Sequence, residues 1–161
     1  MPLQKSDIIF KQVFPLDENV IALIEKLNQY QVGLYGRGKC TLDTPEVLIE
    51  SKAFMIGAYD NEALVGIGAI KLFDDYAEIK RMYVKENYRG SRIAENILHK
   101  LETYAVKNEI GKVCLETGNR HYAALRFYKK MGYSEIARFG NYLPNDISVY
   151  LGKNIRPSSE S

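Results

Sequence analysis

The stretch Met82-Tyr83-Val84-Lys85-Glu86-Asn87-Tyr88-Arg89-Gly90-Ser91-Arg92-Ile93-Ala94 joins an apolar, β-branched run to an amphipathic helix through a short basic loop that contains one glycine. A strand that feeds a helix N-terminus in this way makes an anion cradle. The first N–H groups of a helix have no intrahelical partner and lie at the positive end of its dipole, so a phosphate or pyrophosphate placed there satisfies them. Arg89 and Arg92 add formal positive charge to that backbone. The loop has neither the Gly-Lys-Ser/Thr of a Walker loop nor the three glycines of the dinucleotide fingerprint.

Composition bounds what such a cradle can serve. A chain of 161 residues suits one domain around a single core. The formal net charge of +2 argues against a nucleic-acid binder that works by bulk electrostatics. Two cysteines, Cys40 and Cys114, are too few for a disulfide framework, and no apolar run reaches membrane-spanning length. The stretch Met1 to Phe10 lacks the basic and apolar regions of a signal peptide, so a reducing cytoplasm is the expected compartment, with no nucleic-acid or membrane partner. The only histidines, His99 and His121, have no ligand-spaced neighbours, and no metal is expected.

The elements that must position the loop can be read from periodicity. Ile8 to Phe14 reads as a strand, and Asp17 to Tyr30 as a helix with Val20, Leu23, Ile24 and Leu27 on one face. Gln31 to Thr41 is glycine-punctuated and reads as helix-poor; Asp43-Thr44-Pro45-Glu46 reads as the capped start of a short helix to about Ser51. Phe54 to Tyr59 and Leu64 to Phe73 form a hairpin around Asp60-Asn61-Glu62, and Ala77 to Val84 is a third strand. Ile93, Ile97, Leu98, Leu101, Tyr104 and Ala105 make one helical stripe ending near Asn108. Lys112 to Thr117 is a strand, and Tyr122 to Met131 a helix stopped by Gly132. Ser134 to Phe139 and Ile147 to Leu151 close the pattern, and residues 154 to 161 read as a flexible tail. The order is mixed α/β in a single unit over residues 1 to 153.

The cradle resembles the cofactor signature of the GNAT superfamily of N-acetyltransferases, Arg/Gln-x-x-Gly-x-Gly/Ala, through Arg89, Gly90, Ser91, Arg92, Ile93 and Ala94, with Arg92 standing where the family usually has glycine. A second stretch, His121-Tyr122-Ala123-Ala124-Leu125-Arg126-Phe127-Tyr128-Lys129-Lys130-Met131-Gly132-Tyr133, is similar to the family's Asn-x-x-Ala-x-x-Leu/Phe-Tyr-x-x-x-Gly-Phe/Tyr helix, with His121 in place of asparagine. Both motifs fall within an order of elements that matches the superfamily from about Ile8 to Lys153. Within it, the run Ala77 to Val84 and the late Phe139-Gly140-Asn141-Tyr142-Leu143-Pro144 look like a group of small bacterial acetyltransferases. The resemblance implies one domain with a mixed central sheet of about seven strands, flanked by about four helices and splayed at its central strands.

It also implies acetyl-CoA as acyl donor, bound by Met82, Tyr83, Val84, Arg89, Gly90, Ser91, Arg92, Ile93, Ala94, Asn119, His121, Ala124, Phe127 and Tyr128. Acetyl transfer from a thioester to an amine needs a neutral amine, a polarised carbonyl and a proton for the departing thiolate. A lysine-like amine has a reference pKa of roughly 10, so a base must take its proton near neutrality. By resemblance Glu78 is that base and Tyr128 the acid that protonates the thiolate, with a main-chain N–H near Met82 to Val84 polarising the carbonyl. On residues alone, Glu78 reads equally as a salt-bridged strand glutamate beside Lys80 or Arg81, and Tyr128 as a partly buried aromatic. Cys114, in an apolar strand without a histidine partner, reads as packing, so direct transfer in a ternary complex is expected over an acetyl-cysteine intermediate.

The acceptor side is walled, by the same resemblance, by residues Tyr30 to Leu42 and Phe139 to Asp146. Tyr30, Tyr35, Arg37, Phe139 and Tyr142 are the expected contacts. Arg37 and Lys39 suit a small amine or amino acid with an acidic group, although a solvated loop would look the same. The alternatives are a peptide or protein N-acetyltransferase and a non-catalytic CoA-binding module. Many members of the fold dimerise, and Tyr142 and Tyr150 would permit a homodimer here.

Overall fold

The computed structural model describes residues 8 to 36 and 44 to 155. Arg37, Lys39 and Cys40 lie outside the described residues, as does the tail beyond Ile155.

Seven strands form one sheet: β1 (Ile8–Val13), β2 (Phe54–Asp60), β3 (Ala63–Leu72), β4 (Ala77–Val84), β5 (Lys112–Gly118), β6 (Ser134–Glu135) and β7 (Ser148–Asn154). Their order across the sheet is β1-β2-β3-β4-β5-β7-β6. All neighbours are antiparallel except β4 and β5, which the helical crossover makes parallel. Four helices flank it: α1 (Glu18–Tyr35), α2 (Pro45–Glu50), α3 (Ile93–Lys107) and α4 (Tyr122–Lys130).

Strand alternation sends apolar side chains to both faces. On one face Met55, Leu64, Ile67 and Ala69 meet Val20, Leu23 and Ile24 of α1 and Leu48 of α2. On the other, Ile56, Val65, Ile79, Val113, Leu115 and Leu151 meet Ile93, Ile97, Leu98 and Leu101 of α3 and Tyr128 of α4. The sheet is therefore a middle layer with α1 and α2 on one side and α3 and α4 on the other.

Three boundaries differ from the sequence expectation. α1 runs five residues past Tyr30, because its last turn is docked: the Tyr35 hydroxyl accepts the Arg120 N–H at 2.6 Å, and the Arg120 guanidinium donates to the Leu34 carbonyl at 3.2 Å. β6 is only two residues long; after one further bond, from the Ile136 N–H to the Tyr150 carbonyl at 2.9 Å, the chain leaves the sheet and places Phe139 and Tyr142 against Tyr150. β7 extends to Asn154, paired with Lys112, and Ile155 is buried with its N–H on the Gly111 carbonyl, so the ordered chain outlasts Lys153.

Strand β4 is irregular on both of its edges. Its register against β3 jumps from Ile67↔Tyr83 to Ala69↔Lys80, one extra residue on β4, and Arg81 there has φ 52°. Lys80 and Arg81 consequently point to the same face, and the Arg81 guanidinium binds Asn28 of α1. On its other edge β4 pairs with β5 only at Ala77↔Val113 and Glu78↔Cys114, and beyond Glu78 the ladder stops.

Candidate active site at the β4–β5 gap

Where that ladder stops, a cavity of about 460 Å³ opens. Leu27 and Tyr30 of α1 line it on one side and Ala124, Phe127 and Tyr128 of α4 on another, so it reaches from one layer of the fold to the other through the gap in the sheet.

The backbone of β4 faces this gap. The Lys85 N–H is bonded to the Val65 carbonyl on the β3 side at 2.9 Å, and alternation therefore turns the N–H groups of Met82 and Val84 toward the edge that β5 has left. These are the donors a polarised carbonyl would need.

The basic loop supplies the second wall. A short 3₁₀ turn at Glu86–Tyr88 ends β4, then Gly90 (φ 85°) and Arg92 (φ 65°) adopt left-handed backbone on either side of Ser91. That alternation, leading into the first turn of α3, orients successive N–H groups into a concave anion nest. Arg89, Gly90, Arg92, Ile93 and Ala94 all line the cavity. Arg89 is fixed in place by its Nε donating to the Val84 carbonyl at 3.0 Å and by its position over the Tyr83 ring. Ser91 does not line the cavity; its hydroxyl donates to the Tyr88 carbonyl and holds the turn.

α4 and the residue before it supply two further polar lining groups, Tyr128 and His121. Tyr128 is buried, and burial pushes its phenol well above the ordinary tyrosine range, so it stays protonated at any working pH. His121, just before the helix, stands with its ring 5.0 Å from that of Tyr30 and its Nδ1 3.4 Å from Thr117 Oγ1. Burial first, and the nearby Arg89 charge second, lower its pKa below the usual histidine value, which leaves the imidazole neutral near pH 7. Asn119 is elsewhere engaged: its N–H and side-chain amide donate to the Ile147 and Asp146 carbonyls at 2.8 and 3.0 Å, tying the β6–β7 loop to the end of β5.

Glu78 lies at the last β4–β5 pair, 5% exposed, on the sheet face that α1 covers. It does not line the cavity wall itself. Its Oε2 accepts from the Tyr142 hydroxyl and lies 3.5 Å from Lys80 Nζ. Around this carboxylate the rings of Tyr76, Phe139, Tyr142 and Tyr150 contact one another edge to face. Of the expected acceptor contacts, Phe139 and Tyr142 belong to this aromatic group, Tyr30 faces the cavity beside His121, and Tyr35 is used in docking α1.

Glu116 was not among the sequence candidates. It shares a face with Cys114 on β5, pairs across to Tyr150, and accepts from the Ser148 hydroxyl at 2.6 Å. Burial raises its pKa, opposed by the Ser148 hydrogen bond and the Lys80 charge and reinforced by Glu78. The signal was present: a carboxylate in the middle of an apolar strand, two residues from Cys114, must share that residue's face. Burial likewise pushes the Cys114 thiol up, which disfavours the thiolate a covalent mechanism would need.

Comparison with known proteins agrees with this geometry. The acetyltransferase (GNAT) family matches residues 19–133. A relative named IAA acetyltransferase from Azospirillum brasilense is 30% identical over 141 residues, covering 86% of this chain and 92% of its own. Among solved structures, a Klebsiella pneumoniae protein assigned, but not demonstrated, as an acyl-CoA N-acyltransferase superposes with a TM-score of 0.78 at 27% identity, over 92% of this chain and 97% of that one. The PaiA N-acetyltransferase of Thermoplasma acidophilum, solved with coenzyme A, shares the fold at a TM-score of 0.72 and 19% identity, over 91% of this chain and 98% of that one.

Proposed function

The chain belongs to the acetyltransferase (GNAT) family, and on that premise we propose that it moves an acetyl group from acetyl-CoA to the primary amine of a small-molecule or amino-acid-like acceptor, by direct transfer in a ternary complex. The observation that carries this reading is the cavity through the β4–β5 gap, which puts the anion nest of the loop, the open N–H edge of β4 and the Tyr128 phenol on one continuous surface. Coenzyme A in the Thermoplasma acidophilum structure supports the choice of donor.

In this reading the pyrophosphate lies on the nest formed by Gly90, Ser91 and Arg92, and the pantetheine arm runs along the freed edge of β4 as an added strand. The acetyl carbonyl accepts a hydrogen bond from the N–H of Met82 or Val84. The acceptor approaches from the face that carries Glu78. An ammonium proton passes to the Glu78 carboxylate, the freed nitrogen lone pair forms the N–C bond, and the C–S bond breaks with its electrons going to sulfur. Tyr128 gives that sulfur a proton, and the second proton leaving nitrogen replaces it, so the products are amide, free thiol and one proton on Glu78. The buried phenol makes a lasting tyrosinate costly, so the proton it gives to sulfur is replaced from nitrogen in the same step. The raised Cys114 thiol supports direct transfer.

The test is thiol release from acetyl-CoA across a panel of primary amines, amino acids, polyamines and short peptides, for wild type, Glu78→Gln and Tyr128→Phe. Acceptor-dependent turnover is expected, falling roughly 100-fold or more in Glu78→Gln with CoA still bound. CoA binding without turnover of any acceptor would favour a binding module instead, and failure to bind CoA would overturn the assignment of the nest.

A further inference from the structure

Glu78 is held by one of its two oxygens. Oε2 accepts from the Tyr142 hydroxyl and lies 3.5 Å from Lys80 Nζ, and Lys80 Nζ also donates to the Tyr142 hydroxyl oxygen at 3.0 Å. Oε1 carries no hydrogen bond among the described residues.

The three groups reach one another for separate reasons. Glu78 and Lys80 share a face of β4 because they are two residues apart on a strand. Tyr142 comes from the loop between β6 and β7, and that loop is pinned at several points. Asn119 ties it to the end of β5, and the Asn145 side chain accepts the N–H groups of Ile147 and Ser148 at 2.8 Å each. The Phe139 and Tyr150 rings flank Tyr142 at 5.5 Å. The hydroxyl is therefore delivered to Oε2 by a packed, bonded frame.

A carboxylate on a strand otherwise turns over a broad range about its last bond, and at most of those angles neither oxygen aims a lone pair at an incoming amine. Two donors converging on one oxygen hold the carboxylate plane at one angle. We propose that Tyr142 and Lys80 are positioning residues for Glu78: they fix Oε2 and so present Oε1, in one orientation, to the acceptor ammonium. Their role rests on Glu78 acting as the base in the proposed transfer. In the step they serve, the N–H bond of the ammonium breaks as the O–H bond forms at Oε1, and Oε2 keeps both of its donors throughout. Neither positioning residue touches the donor or loses a proton. Tyr142 thereby acquires a second role beside that of an aromatic wall, and the loop that frames the acceptor also aims the base.

The test uses Tyr142→Phe, which keeps the ring, with Lys80→Met as a second variant and melting temperatures to confirm folding. Crystal structures of wild type and Tyr142→Phe at atomic resolution read the orientation directly. One carboxylate plane angle is expected in the first and a shifted or spread angle in the second, and the same single angle in Tyr142→Phe would overturn the proposal. With any amine that turns over in the panel, both variants are expected to lower kcat about tenfold, part of the roughly 100- to 10,000-fold that a general base supplies, with the KM for acetyl-CoA unchanged. In a Glu78→Gln background, Tyr142→Phe is expected to cost nothing more, because it acts only through that carboxylate. Losses that multiply in the double variant, or an unaltered kcat in Tyr142→Phe, sink the positioning role while leaving the base in place. Full turnover by Glu78→Gln alone removes the base itself, a separate result.

Discussion

Arg92 occupies backbone that glycine would hold more cheaply. Its φ of 65° and ψ of 16° cost a residue with a Cβ about 1 kcal/mol, and its long contact with Glu95, 3.9 Å on an exposed side chain, returns little. Arg92→Gly is therefore expected to raise unfolding free energy by about 1 kcal/mol in urea titration; a loss of stability would mean the side chain holds the loop in a way its contacts do not show. His121 makes the pH-dependent prediction. Its pKa is lowered in the folded chain, so as pH falls below about 6.5 the unfolded state takes up a proton that the native state refuses, and stability declines with acidification. The melting temperature of wild type should fall further between pH 7 and pH 5 than that of His121→Asn, and parallel curves would refute this. At this level the sequence was partly readable. Glu116 was missed although strand alternation could have found it, whereas the left-handed Arg81 left no signal, because Lys80-Arg81-Met82 contains no glycine or asparagine to mark a bulge and the Arg81 guanidinium is held by Ile24 and Asn28 of a distant helix.

Among the elements, the packing of α3 on β3 depends on two missing side chains. A Cβ at Gly66 would stand 3.1 Å from Ile93 Cγ2, and one at Gly68 would press on Met82 Sδ and stand 2.7 Å from Ile97 Cγ2. The helix lies close to the strand because nothing intervenes. Gly68→Ala should force α3 outward at a cost of about 1–3 kcal/mol. CoA affinity should fall with it, since the first turn of α3 forms part of the anion nest; urea titration and calorimetric CoA binding read the two effects, and unchanged stability would contradict the close packing. Helix α3 was legible from its period, because it buries a regular stripe, and strands β2 and β3 were legible as apolar runs bounded by turn residues, because they are buried on both faces. The end of α1 was not. Gln31 to Thr41, punctuated by glycine, read as helix-poor, and the helix continues to Tyr35 where Tyr35 and Arg120, far apart in sequence, dock its last turn. The apolar run after Ser134 read as a longer strand for the converse reason: Ile136 packs over Gly152 of β7, and Phe139 is used in the aromatic group around Glu78 and not in a ladder.

For the molecule as a whole, the order of elements was readable from period and punctuation, whereas the splay of the central strands came only from the resemblance, because a ladder that ends early leaves no local mark. That early end has a mechanical consequence. β4 and β5 are joined by two residue pairs, whereas β5 and β7 are joined by seven. The sheet is thus two plates hinged along a short seam, one carrying Glu78, Lys80 and the open edge of β4, the other Glu116, His121, Tyr128 and Tyr142. Besides those two pairs, the seam is tied by Tyr142, which bonds Glu78 and Lys80 across it, so a displacement between the plates would change the spacing of the groups proposed to react. Anything seated in the gap and gripping both sides acts as a splint, so that occupancy and alignment become one event.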